Sequence, residues 1–162
     1  MHTTETFQGA INWEATPITK SSEHSTFSAD DLIDAYFNGK KAQVDEEREM
    51  RFEKFESNLH RAKQLSEQML DTIFQNGFKC ESIHLKIKDI YHFSSIYLID
   101  EDDYCSDEFL DIYKESIKLK SEANISQSFN YTIIFTPNNE FLNKKRILAD
   151  GYFLSYNGVQ KP

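Results

Sequence analysis

The reading of residues 95–122, SIYLIDEDDYCSDEFLDIYKESIKLKSE, decides the fold. Ile96, Tyr97, Leu98 and Ile99 form a continuous apolar run with β-branched and aromatic members, the pattern of a strand buried on both faces. The character then flips to an acidic loop, Asp100-Glu101-Asp102-Asp103. Ser106 is placed to cap a following helix, with Asp107 and Glu108 in its first turn, where the helix dipole favours negative charge. Phe109, Ile112, Tyr113 and Ile117 recur at helical spacing and predict its buried face.

On the N-terminal side of this unit, residues 81–88 alternate, with Ile83, Leu85 and Ile87 on one face and His84, Lys86 and Lys88 on the other. That is a half-exposed strand, and the turn at 89–91 pairs it with the next as an antiparallel hairpin. On the C-terminal side, Phe129, Tyr131, Ile133 and Phe135 alternate with Asn130, Thr132, Ile134 and Thr136, giving a third strand ended by Pro137. Residues 138–149 read as a loop with a short helix carrying Lys144, Lys145 and Arg146; Asp150-Gly151 then turns into a last strand, 152–156.

Upstream, residues 41–75 contain neither Gly nor Pro and predict one long helix. Phe52, Phe55, Leu59, Ala62, Ser66, Met69 and Ile73 repeat along it with 3-4 spacing. Such a helix runs roughly 50 Å, longer than one side of a small domain, so part of it projects, bends or pairs with a second copy. Phe52, Phe55, Leu59 and Met69 are therefore candidates for self-association. Before it, Phe27, Ser28 and Leu32 form a helix start and Asn38-Gly39 a stop, predicting a short first helix. Residues 1–26 are rich in Thr, Ser and Glu and read as a flexible or loosely docked tail. Its Phe7, Ile11, Trp13 and Ile18 either pack onto the protein's own surface or enter a partner.

The expected fold is α+β: a short and a long helix, then a mostly antiparallel four-stranded sheet with a crossover helix, in the order ββαβ(α)β. Residues 27–162 form one domain, 27–76 its helical part and 81–157 its sheet part. The chain has 162 residues, 39% of them apolar, with 13 Phe and 8 Tyr, which suffices for a real core. Its net charge of −9 is uneven: residues 100–115 hold eight acidic side chains against Lys114 alone. That weighs against nucleic-acid binding. Cys80 and Cys105 stand outside any CxxC pattern and read as a reduced pair. No apolar run approaches the ~18 residues of a membrane span, and the N-terminus lacks the basic and apolar regions of a secretory leader, so a cytoplasmic protein away from membranes is expected.

Two clusters carry possible chemistry. Asp100, Asp102, Asp103 and Asp107 supply the carboxylates a hard cation requires. They fail the EF-hand pattern, with Cys105 where the bending Gly stands and Asp111 at the twelfth position. The alternative is a solvated loop leading into a helix. Lys86 and Lys88, with Lys144, Lys145 and Arg146, form a patch for phosphate or an acidic partner if the two groups meet in space. The alternative is lysines that keep an edge strand from aggregating. The P-loop, GxGxxG, GxSxG, HExxH and HxE…CxxC patterns are missing, so no catalytic residue and no cofactor is assigned. The expected function is a non-enzymatic interaction or regulatory protein, with a protein partner or itself, that self-associates through the long helix. The alternatives are a metal-dependent enzyme acting on a phosphate-containing substrate through Asp100–Asp103, and an acidic decoy for a DNA-binding protein.

Overall fold

With no Gly or Pro to interrupt it, the chain from Asp45 to Gln75 is one helix of 31 residues, α1. The computed structural model describes residues 13–15, 18–19, 26–27, 33 and 45–157. The 3-4 stripe is the inner face of α1: Phe55, Ala62, Ser66, Met69 and Ile73 are buried, and Phe52 and Leu59 are half-buried against the same core. Residues 47–51 contribute no buried side chain, and Met50 is 70% exposed, so the first turns extend past the core as the length requires. The helix ends at Gly77 (φ 80°), where the Gly77 N–H bonds the Phe74 carbonyl and the Phe78 N–H that of Ile73. These two hydrogen bonds satisfy carbonyls of the last turn and require a left-handed residue at Gly77.

Four strands follow: β4 (Cys80–Ile87), β5 (His92–Asp100), β6 (Asn130–Asn138) and β7 (Tyr152–Asn157), after the two-residue strands β1 (Glu14–Ala15), β2 (Ile18–Thr19) and β3 (Thr26–Phe27). The main sheet has the order β1-β7-β4-β5-β6, while β2 and β3 pair separately. The β4–β5 pair is the expected antiparallel hairpin, β7 lies antiparallel on the far side of β4, and β6 runs parallel to β5. Helices α2 (Glu101–Tyr104) and α3 (Phe109–Ala123) make the crossover from β5 to β6, and α4 (Lys144–Ala149) precedes β7. The chain is thus an α+β fold, a helix followed by a mixed sheet with helices between strands.

Four local expectations are corrected. The acidic stretch is helical from Glu101, not a loop, and Ser106 does not cap α3: its hydroxyl donates to the Asp103 carbonyl at 2.7 Å, and α3 begins at Phe109 without a side-chain cap. Ile117 is 64% exposed; the buried face is Phe109, Ile112, Ser116, Leu119 and Ala123. Choosing Ile117 over the smaller Ser116 rotates the face by about 100°, one residue of an α-helix. Pro137 does not end β6 but stands opposite Ile99 within it. Because β6 is the last strand of the sheet, a missing N–H on its outer side breaks no ladder.

The layer between α1 and the sheet holds a polar cluster. The Tyr131 hydroxyl lies 2.7 Å from Ser66 Oγ, 2.6 Å from Ser95 Oγ and 3.3 Å from the Tyr97 hydroxyl, which donates to the Ser66 carbonyl. Burial raises the pKa of both phenols, that of Tyr97 well above the ordinary value. Nearby, buried Asn58 donates from one amide nitrogen to the carbonyls of Ile90 and Ser128, each at 2.8 Å.

Trp13 packs on the protein's own surface: its indole donates to Glu67 at 3.1 Å and its ring lies 6.2 Å from that of Tyr156, while β1 pairs with β7. Phe7, Ile11 and the expected short helix lie outside the described residues, apart from Ile33, which is helical and packs on the core.

Candidate functional site

Alternation along β4 decides which side chains face the helices and which do not. Ile83 and Leu85, registered with Tyr97 and Ser95, point into the layer under α1. Ser82, His84 and Lys86 therefore project to the other side. Register carries that second face across the sheet to Ser94, Ile96 and Leu98 on β5, to Thr132, Ile134 and Thr136 on β6, and to Tyr152 opposite Lys86 on β7. Ile147 of α4, with Leu142, covers Leu98, Ile96 and Tyr152. His84, Lys86 and Ser94 stay half-buried, and Ile134 is 40% exposed.

The polar groups of this face hold one another. Ser82 Oγ and His84 Nε2 share a hydrogen bond of 3.0 Å, as do Ser94 Oγ and the Tyr152 hydroxyl. The Lys86 ammonium lies 5.6 Å from the centre of the Tyr152 ring, a cation–π distance. Its stem runs beside Gly151, where a Cβ would stand 3.3 Å from Lys86 Cε and where φ of 101° favours glycine in any case. Lys144 Nζ donates to Glu81 at 2.9 Å in an exposed pair.

His84 is biased toward its neutral form. Burial lowers its pKa from the usual 6.5, the positive charge of Lys144 lowers it further, and Glu81 partly opposes them. The unfolded chain therefore binds this proton more readily, so the stability contributed by neutral His84 is complete above pH 6.5 and is lost as pH falls through the folded value. In an NMR titration of the histidine ring protons, His84 should titrate below 6.5, and Lys144→Ala should move it upward. An unchanged midpoint in that variant would show that Lys144 does not act on the ring.

The structure thus brings Lys86 and Lys144 to the surroundings of His84. Lys88, Lys145 and Arg146 are exposed, Lys88 just past the end of β4 and the other two on α4. The edge-protection reading of the lysines is corrected, because β4 is paired on both sides. Glu81, Ser82, Ser94 and Tyr152 were not picked out from the sequence. Alternation marks Ser94 as polar, but its meeting with Tyr152 requires the strand order.

The acidic candidates are placed differently. Asp100 closes β5, Asp102 and Asp103 sit in α2, and Asp107 is exposed in the following turn. The Asp103 carboxylate accepts the Lys79 N–H at 2.8 Å, and Glu101 accepts from the Asn139 amide at 3.1 Å. Among the described residues no three His, Cys, Asp or Glu side chains converge as metal ligands would. Of the self-association candidates, Phe55 and Met69 are buried at 4% and 1% exposure, and Phe52 and Leu59 face the chain's own core. Cys80 and Cys105 are free thiols; burial pushes that of Cys80 up to about 12, while Cys105 is exposed. Among the described residues no helix is long and apolar enough to cross a membrane.

Fold and face together define an α+β protein whose sheet carries helices on one side and a polar, partly covered surface on the other. Comparison of the chain with protein-family models, with curated proteins and with solved structures finds no match.

Proposed function

We propose that this is a non-catalytic interaction protein that engages an acidic group of a protein partner through the open face of its sheet. The observation that supports this reading is the position of Lys86 and His84. They project from a strand paired on both sides, onto a sheet face that α4 covers only in part, beside the hydroxyls of Ser82, Ser94 and Tyr152. An ammonium seated on an aromatic ring and flanked by hydroxyl donors suits a carboxylate or phosphate oxygen, which accepts hydrogen bonds from both kinds of group.

The test is an NMR titration of the full chain with a poly-glutamate peptide and, separately, with inorganic phosphate. Amide shifts are expected at residues 82–86, 94 and 152, to disappear in Lys86→Glu and to weaken with added salt, since exposed charges are screened over about 8 Å at physiological ionic strength. Shifts centred elsewhere, or none at millimolar peptide, would reject the reading.

A further inference from the structure

The second exposed feature lies at the opposite margin of the sheet. Strand β6 pairs with β5 along its whole length, from His92↔Asn130 to Asp100↔Asn138, and among the described residues no strand occupies its other side. Long edges of this kind are templates for further pairing unless they are blocked. Two devices block it at its ends: Pro137, which lacks an N–H, and the Asn124 side chain, which accepts from the Tyr131 N–H at 2.7 Å and donates to the Tyr131 carbonyl at 3.0 Å. Residues 132–136 between them are left open among the described residues.

The helices above the sheet are arranged side by side, α1 over β4 and β5, α3 over β6, and α3 against α1. The flank of α3 that faces away from α1 therefore lies over the free edge of β6. Leu110 and Ile117 stand on that flank, 59% and 64% exposed. Seven residues apart, they lie two turns from each other on one side of the helix. Ile134, at 40% exposure, is the midpoint of the nine-residue strand beneath.

Strand and helix flank share one centre. The midpoint between Leu110 and Ile117 falls at residues 113 and 114, and the Tyr113 ring lies 5.1 Å from that of Phe135, the neighbour of Ile134. A single two-fold axis at this level would set β6 antiparallel to the β6 of another copy, Ile134 facing Ile134, with rungs from Thr132 to Thr136 that leave Pro137 outside. The same axis would bring Leu110 against Ile117 of the other copy. Lys114 lies between them in the sequence, exposed and 3.6 Å from Asp111 of its own helix. A surface complementary to itself about one axis is what an isologous dimer requires.

We infer that the free edge of β6 and the adjoining flank of α3 form a homodimer interface, in which two sheets join edge to edge. The strand and helix flank supply about 15 residues a side, below the 20–30 of a standard interface, so micromolar affinity is expected. Each copy carries −9, so added salt strengthens this contact by screening repulsion. It is separate from the surroundings of His84 and Lys86 two strands away, where salt acts in the opposite sense.

Sedimentation equilibrium of the full chain across micromolar to submillimolar concentrations should show a monomer–dimer equilibrium. The double variant Leu110→Glu, Ile117→Glu changes only exposed side chains and should weaken it about tenfold or more, with the circular dichroism and thermal midpoint retained. In a Cys105→Ser background, Ile134→Cys should form a disulfide-linked dimer under mild oxidation. Opposed residues on antiparallel strands are about 4.5–5.5 Å apart, within disulfide reach. A monomer at every concentration, or a dimer unchanged in the double variant, would overturn the interface. A dimer that does not cross-link through residue 134 would overturn the edge-to-edge arrangement.

Discussion

Phe109→Ala should destabilise the protein by about 3–5 kcal/mol, a large part of the 5–15 kcal/mol that holds a typical domain together. Phe109 is 1% exposed and opens α3 at the point where helix, sheet and the α1–β4 turn meet. Its ring lies 5.3 Å from Phe78, 5.3 Å from Phe135, 5.4 Å from Tyr113 and 5.8 Å from Tyr104. Three of these neighbours are anchored on other elements, so they cannot all move inward, and much of the cavity stays empty. Urea unfolding followed by circular dichroism measures the effect as a lower midpoint at unchanged slope. Phe109→Leu, which keeps most of the volume, should lose far less. A cost below about 1 kcal/mol for the alanine variant would mean that the aromatic cluster closes over the gap.

Asn58→Leu should cost about 2–4 kcal/mol although it adds apolar surface to a buried site. The reason lies in the two carbonyls that the Asn58 amide serves. One belongs to Ile90 in the β4–β5 turn, the other to Ser128 in the segment before β6. Leucine has a similar size and no donor. The Ile90 carbonyl then loses its partner in a buried setting, where an unpaired acceptor carries its full desolvation penalty. Amide exchange near residues 90 and 128 should accelerate more than that of β4 and β5, because those are the segments Asn58 ties to α1. Equal acceleration everywhere, or a stability change within ±0.5 kcal/mol of zero, would contradict this role.

Much of the architecture follows from periodicity. The 3-4 stripe of α1 and the alternation of β4 each specify one face, and the short turn at 89–91 allows only a hairpin. The failures have particular causes. Ile117 attracts the reading of α3 because it is apolar, yet the helix turns Ser116 inward, where its hydroxyl donates to the Tyr113 carbonyl of its own helix. Asp100 to Asp103 looked like a loop because acidic residues favour solvent, although three of them in a first turn stabilise a helix N-terminus. Lys86 was weighed as an edge residue since strand order is set by long-range pairing that no local pattern encodes. For the same reason Tyr152, seventy residues from Ser82 in the chain, could not be assigned to one face with it. Asn58 reads as one polar residue among many on α1, and only the positions of Ile90 and Ser128 give it a task.

The place of β7 between β1 and β4 has a consequence for how the chain is made. Residues 14–15 form the first described element to leave the ribosome, and the strand they pair with is the last. Translation at about 5–20 residues per second therefore separates the two by several seconds at least. Within that interval α1, β4, β5 and β6 are made in turn and can assemble by contacts already synthesised, while from the completion of β4 onward its outer edge waits with its backbone groups unpaired. His84 and Lys86 sit on that waiting strand. A half-made chain thus displays, next to a polar face, an open β-strand edge that the finished molecule hides, and its exposure to other nascent chains ends only when residues 152–157 emerge.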